Sequence, residues 1–316
     1  MEIGDTGYTP PKPGIAEAYA GFARRRYGWE IDPAHVRSTG DVVMGLVEIL
    51  RATISLGDRV VITPPVYPPF YDLIPEAGGV VETVPLLADA GYTLDLAGIE
   101  AALAGGARAV LLCNPHNPTG TVHSRETLAE LAEIAARHGA IVVSDEIHAP
   151  LVHAPATFTP FLSASPVAAS VGYAVASASK AFNLAGLKCA LMSTAADHTR
   201  RVVQGLPKEV EWRTGHFGAL AGVAAFSPES DEWLDALLAA LDANRHLLAD
   251  LLAEHVPFPT RPVVSDVRLA RLLAEERDPA RVRLGPDERS AREGRSTRSY
   301  IAGREWHMSA SVGVEP

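Results

Sequence analysis

Cysteine and lysine are both scarce here. The two cysteines, Cys113 and Cys189, stand singly and far apart, which excludes a readable disulfide framework or zinc ribbon. Only four lysines, Lys12, Lys180, Lys188 and Lys208, accompany 24 arginines. No apolar run approaches the roughly 20 residues of a membrane-spanning helix. Residues Met1 to Thr6 lack the basic and apolar regions of a signal peptide. A formal net charge of −10 argues against nucleic acid as the main partner. The hydrophobic fraction of 47% excludes a wholly disordered chain. At 316 residues the chain can bury a sizeable core, and at roughly 150 residues per domain it has room for about two. The expectation is a cytoplasmic globular protein that binds neither nucleic acid nor membrane.

Hydrophobic spacing predicts helices over Ile15 to Tyr27 and Val42 to Ile54. Short apolar runs predict strands at Arg59 to Thr63, Val80 to Val84, Ala109 to Cys113, Ala140 to Val143, Val171 to Ala176 and Cys189 to Ser193. Between two of them, Ser124 can cap a helix whose face carries Leu128, Leu131, Ile134 and Ala135, with Gly139 placed to end it. Apolar strands alternating with helices imply an α/β fold, a mostly parallel sheet with helices on both faces. Such sheets bind ligands at the carboxyl ends of their strands. A long amphipathic helix from Glu232 to His255 fits either a bridge between domains or an ordinary covering helix. Beyond it, the last 60 residues hold 11 arginines and no lysine. Ser290 to Ser299 has neither period and reads as a solvated or disordered tail.

Three segments at predicted strand ends carry the unusual residues. In Ser177-Ala-Ser-Lys-Ala-Phe-Asn-Leu-Ala-Gly-Leu-Lys188, small and apolar neighbours would desolvate the Lys180 ammonium, as suits a Schiff-base lysine; a strand-end lysine reaching solvent fits as well. A carboxylate at Asp145, in Val143-Ser-Asp-Glu-Ile-His148, would need a cation at a buried strand end, and a protonated pyridine nitrogen would serve. Asp145 and Glu146 could equally cap a helix. In Asn114-Pro-His-Asn-Pro-Thr-Gly120, Asn117 could hydrogen-bond a phenolate oxygen, or the segment could be only a turn. His116, His148 and His153 match no standard ligand spacing, so no metal is assigned.

Together, in this order and spacing, these three motifs resemble the fold-type I pyridoxal-phosphate enzymes of the class I/II aminotransferase superfamily. Among them the chain is most similar to the MalY/PatB type of carbon–sulfur β-lyase, because His148 follows Asp-Glu-Ile. The resemblance runs from about Gly4 to about His255 and implies pyridoxal phosphate as cofactor. Lys180 is then the lysine that binds the cofactor and moves the Cα proton. Asp145 keeps the pyridine nitrogen protonated, Asn117 holds the phenolate oxygen, and Tyr67 stacks on the ring. Ser177, Ser179 and Lys188 match phosphate ligands, and Asp41 and Val42 open a helix whose amides could cradle phosphate. His148 belongs to the same cup. Tyr8 resembles a tyrosine that reaches a neighbouring subunit's phosphate, which implies a homodimer with shared sites.

The resemblance also implies domains: a cofactor-binding large domain over 1–230 with an N-terminal arm over 1–37, a bridging helix over 231–256, and a degenerate, poorly ordered remnant of a small domain over 257–316. The family has a further segment ahead of Gly4-Asp-Thr-Gly-Tyr8 and a small-domain arginine that clamps the substrate carboxylate. Arg268-Leu-Ala lacks that arginine's context, and Pro150 stands where an acidic residue is common. Three functions remain open: a lyase giving thiol, pyruvate and ammonia from cystathionine or other cysteine S-conjugates, an aminotransferase, or a non-catalytic relative that at most binds the cofactor or a partner.

Overall fold

The computed structural model describes residues 14–255, with 297–301 and 304–308. Its strands are β1 (Val36–Thr39), β2 (Arg59–Ile62), β3 (Val80–Thr83), β4 (Ala109–Cys113), β5 (Ile141–Asp145), β6 (Gly172–Ala176) and β7 (Ala190–Ser193). They form one sheet in the order β1-β7-β6-β5-β4-β2-β3. The pairs β3–β2, β2–β4, β4–β5 and β5–β6 are parallel. Only β7 runs against its neighbours, β6 and β1.

Ten helices accompany these strands among the described residues: α1 (Ile15–Tyr27), α2 (Val42–Thr53), α3 (Phe70–Glu76), α4 (Leu96–Ala104), α5 (Arg125–Arg137), α6 (Pro166–Val171), α7 (Asp197–Gly205), α8 (Lys208–Trp212), α9 (His216–Ala225) and α10 (Asp231–His255). Strand alternation divides the core in two. Val110, Leu112, Val142, Ala174 and Leu191 pack with α1, α4 and α5. Ala109, Leu111, Val143, Val175 and Met192 face the other way, against α2 and α3. Every residue of β4 and β6 is buried, as the apolar runs predict.

Local chemistry explains several boundaries. The Ser124 hydroxyl accepts from the Thr127 amide at 3.2 Å and starts α5, and Gly139 beyond its end takes a φ of 62°. Strand β1 has no apolar run, because an arginine and a serine occupy its middle. It is held by Arg37, whose guanidinium donates to the carbonyls of Val203 at 2.7 Å, Leu206 at 3.0 Å and Pro207 at 3.1 Å.

The tail differs from its expected character. Thr297–Ile301 (β8) and Arg304–Met308 (β9) pair antiparallel, with Thr297 opposite Met308. Tyr300 and Ile301 on one strand and Trp306 on the other favour extended backbone, and Arg298 and Arg304 beside them obscure that preference in the sequence. Residues 257–296 and Arg268 with them lie outside the described residues, as does the first part of the N-terminal arm. No helix among the described residues is long and apolar enough to cross a membrane.

Candidate cofactor site

Five parallel strand ends and the start of β7 meet at one edge of the sheet. The chain leaves β1 into Gly40-Asp41, β2 toward Tyr67, β4 into Asn114–Gly120, β5 into Glu146–His148 and β6 into Ser177–Lys180. Because β7 is antiparallel, the residues ahead of it, Lys188 and Cys189, return to that same edge. The predicted residues from 41 to 188 therefore converge. Tyr8 lies outside the described residues.

Asp145 is the electrostatic centre. Its carboxyl is 5% exposed, and Oδ1 accepts from the Ile147 amide at 3.1 Å. Burial pushes its pKa up to about 6, against the pull of that amide and of the Lys180 charge. Asp145 has no ion pair among the described residues, so charging it is expensive without a further cation. The Lys180 charge also reaches His148, whose pKa falls to about 4 chiefly through burial. The phenol of Tyr67 is raised by burial first, then by the charges of Asp145 and Asp41. Its ring and that of Phe70 meet edge to face, with centroids 6.0 Å apart. Asn117 donates its amide to Cys113 Sγ at 3.2 Å, holding the turn over the end of β4.

Three of these residues have surroundings that the sequence leaves open. Lys180 is exposed, which is the strand-end alternative rather than the desolvated one. The Ser177 hydroxyl is turned inward: it donates to the Cys189 carbonyl at 2.7 Å and accepts from the Ser179 amide at 3.0 Å. Holding a phosphate would require that hydroxyl proton to swing. Asp41 is the N-cap of α2, with Oδ1 accepting from Met44 at 2.8 Å, while Oδ2 takes the Lys188 ammonium at 3.1 Å. A helix leaves its first amides without intrahelical partners. With Met44 served by the cap, those of Val42 and Val43 remain for an anion.

Lys188 sits at a φ of 57°, and Gly215 donates to its carbonyl at 2.7 Å. A side chain at position 215 would run into the Leu187 carbonyl, so glycine there lets α9 approach the loop that presents Lys188. If Lys188 neutralises a phosphate, Lys188→Ala should weaken pyridoxal phosphate binding about 10–100-fold, the worth of one charged hydrogen bond. Titration of the visible absorption checks this.

Glu146, which the sequence offers only as a possible helix cap, is instead a buried acid. It is 1% exposed. Its Oε1 accepts from the Phe161 amide at 2.8 Å and from the Ser144 hydroxyl at 3.1 Å, and Oε2 has no partner. Burial pushes its pKa up to about 8, so at neutral pH it adds little charge beside Asp145. His116 is likewise turned inward, toward the Thr63 carbonyl at 3.2 Å and the Thr119 hydroxyl at 3.2 Å.

The family model described as aminotransferase class I and II matches residues 4–278. A Mycobacterium leprae protein named as a candidate cystathionine β-lyase is 44% identical over 266 residues, covering 81% of this chain and 64% of the relative. Cystathionine β-lyase PatB of Bacillus subtilis is 34% identical over 261 residues, 81% of this chain and 67% of the relative. A crystal structure of a Corynebacterium diphtheriae protein, named as a candidate pyridoxal-phosphate-dependent β-cystathionase, superposes with a TM-score of 0.78. It is 31% identical and covers 83% of this chain and 68% of that one. The chain thus spans about two thirds of the length of these proteins.

Proposed function

The chain belongs to the aminotransferase class I and II family, and from that premise we propose that it is a pyridoxal-phosphate-dependent carbon–sulfur β-lyase. Its substrates on this reading are cystathionine or other cysteine S-conjugates, cleaved to a thiol, pyruvate and ammonia. The observation that carries the cofactor assignment is the buried Asp145 carboxylate, which has no ion pair among the described residues and lies within the field of Lys180. A protonated pyridine nitrogen would be its missing cation. The lyase direction follows the names of the similar proteins.

Bound at this edge, pyridoxal phosphate supplies a sink for the electron pair left when the Cα–H bond breaks. The chain's own residues do the rest. Lys180 would hold the cofactor and would carry the Cα proton at Nζ. Asp145 keeps the proton on the ring nitrogen, Asn117 donates toward the phenolate oxygen, and Tyr67 covers one ring face. Lys188, Ser177, Ser179 and the first amides of α2 would hold the phosphate, with His148 completing the wall. Tyr8 of a second copy would reach that phosphate, which makes a homodimer part of this reading, as is residence in the cytoplasm.

The test is to incubate the protein and pyridoxal phosphate with cystathionine, without any keto acid, and to measure pyruvate. Release of pyruvate that needs both protein and cofactor is the expected result. Amino transfer to an added keto acid with no pyruvate would replace the lyase with an aminotransferase. Neither reaction, in folded and loaded protein, would leave only a cofactor-binding relative.

A further inference from the structure

We infer that Trp233 is a positioning residue for Lys180, acting through Phe182. The inference rests on Lys180 being the cofactor lysine. Lys180 lies inside two overlapping turns, closed by the Phe182 amide on the Ala178 carbonyl at 3.0 Å and the Leu184 amide on the Ser179 carbonyl at 2.9 Å. The turn ends in Asn183, at a φ of 53°. Lys180 itself is exposed, and this backbone sets the point and direction at which its side chain leaves the turn. The Phe182 ring, two residues on, stacks against Trp233 with centroids 5.3 Å apart and planes 22° from parallel. Offset stacking of this kind is favourable and geometrically selective.

The indole stands on rigid ground. It is the third residue of α10, beside Leu234, which is fully buried. Arg25 binds Asp231 at 2.8 Å and Arg26 binds Asp235 at 2.7 Å, tying the first turn of α10 to α1. Trp233 is half exposed, so little of its surface is spent on the core; the Phe182 face is its ring contact. A shift of α10 would therefore move the Phe182 ring and turn the backbone that aims Nζ. At position 233 the long helix meets the lysine loop through this ring pair.

The experiment compares wild type, Trp233→Ala, Trp233→Phe and Lys180→Ala. Hydrogen exchange of the Phe182 and Leu184 amides is read without added cofactor. The rate at which pyridoxal phosphate loads onto Lys180, trapped by borohydride, and the pH midpoint of the visible band are read with it. Trp233→Ala should exchange faster and load more slowly, each by about 2–10-fold, the range one aromatic pair supports. Its band midpoint should move, while exchange in β4 and β5 stays as in wild type. Trp233→Phe, which keeps a ring, should restore loading to within about twofold. Faster exchange with unchanged loading and midpoint would make the stack merely structural and overturn the inference, as would no change in any readout. If wild type itself does not load at Lys180, the lysine assignment falls first and takes the inference with it.

Discussion

Replacing Lys180 with alanine is expected to abolish covalent loading of pyridoxal phosphate and to lower pyruvate release from cystathionine at least about 10³-fold. The size follows from what is lost. A positioned proton carrier alone contributes roughly 10²–10⁴-fold, and here the same side chain also forms the covalent link. Little else should change. Lys180 is exposed, and exposed substitutions away from caps and core typically alter stability by under about 0.5 kcal/mol. The phosphate subsite around Lys188 and the start of α2 is untouched, so the cofactor should still bind without a covalent bond. Borohydride trapping with peptide mapping, beside a pyruvate assay and a thermal melt, separates these effects. The informative contrast is Lys188→Ala, which should weaken binding yet still load at Lys180. A Lys180→Ala protein that forms pyruvate at the wild-type rate would remove this lysine from the chemistry.

That this lysine stands out at all is a matter of composition and order. The strands that bear the site are apolar on both faces, so β4, β5 and β6 could be read to within two residues of their ends. Their trailing motifs could then be placed at one sheet edge before any coordinates. Other parts carry no such local signature. Strand β1 holds Arg37 and Ser38 in its four residues, and Arg37 becomes sensible only once the carbonyls of Val203, Leu206 and Pro207 surround it. Helix α3 contains Pro75, and α9, His-Phe-Gly-Ala-Leu-Ala-Gly-Val-Ala-Ala, is too uniformly small and apolar to show a face. The direction of Ser177 and the exposure of Lys180 depend on what packs across from them, namely Cys189 in one case and open space in the other. The Phe182–Trp233 stack joins residues from a loop and a distant helix. No window of sequence contains both.

Asp145→Asn is expected to make the cofactor-free chain more stable at pH 7 while reducing pyruvate release about 10²–10³-fold, the usual cost of losing one preorganised electrostatic partner. The stability sign follows from linkage. The folded carboxyl has a pKa raised to about 6 by burial, above its unfolded value near 4, so the folded state binds the proton more tightly. The stability this group confers is present below about pH 4 and is lost as pH rises to about 6, a change of about 3 kcal/mol. Asparagine can keep the bond from the Ile147 amide but has no charge to desolvate. Urea melts of wild type and variant should therefore coincide near pH 4 and diverge by up to about 3 kcal/mol at pH 7, with the variant the more stable. Pyridoxal phosphate should close much of that gap for wild type alone, because only the aspartate gains a cation from the ring nitrogen. A variant that is less stable than wild type at pH 7, or equal to it across the range, would mean that Asp145 is already paired within the chain. The case for a cationic ring at this position would then fail. If instead the variant is stabler without cofactor and slower with it, the uncompensated burial of Asp145 is a cost of the fold that the cofactor's positive charge offsets.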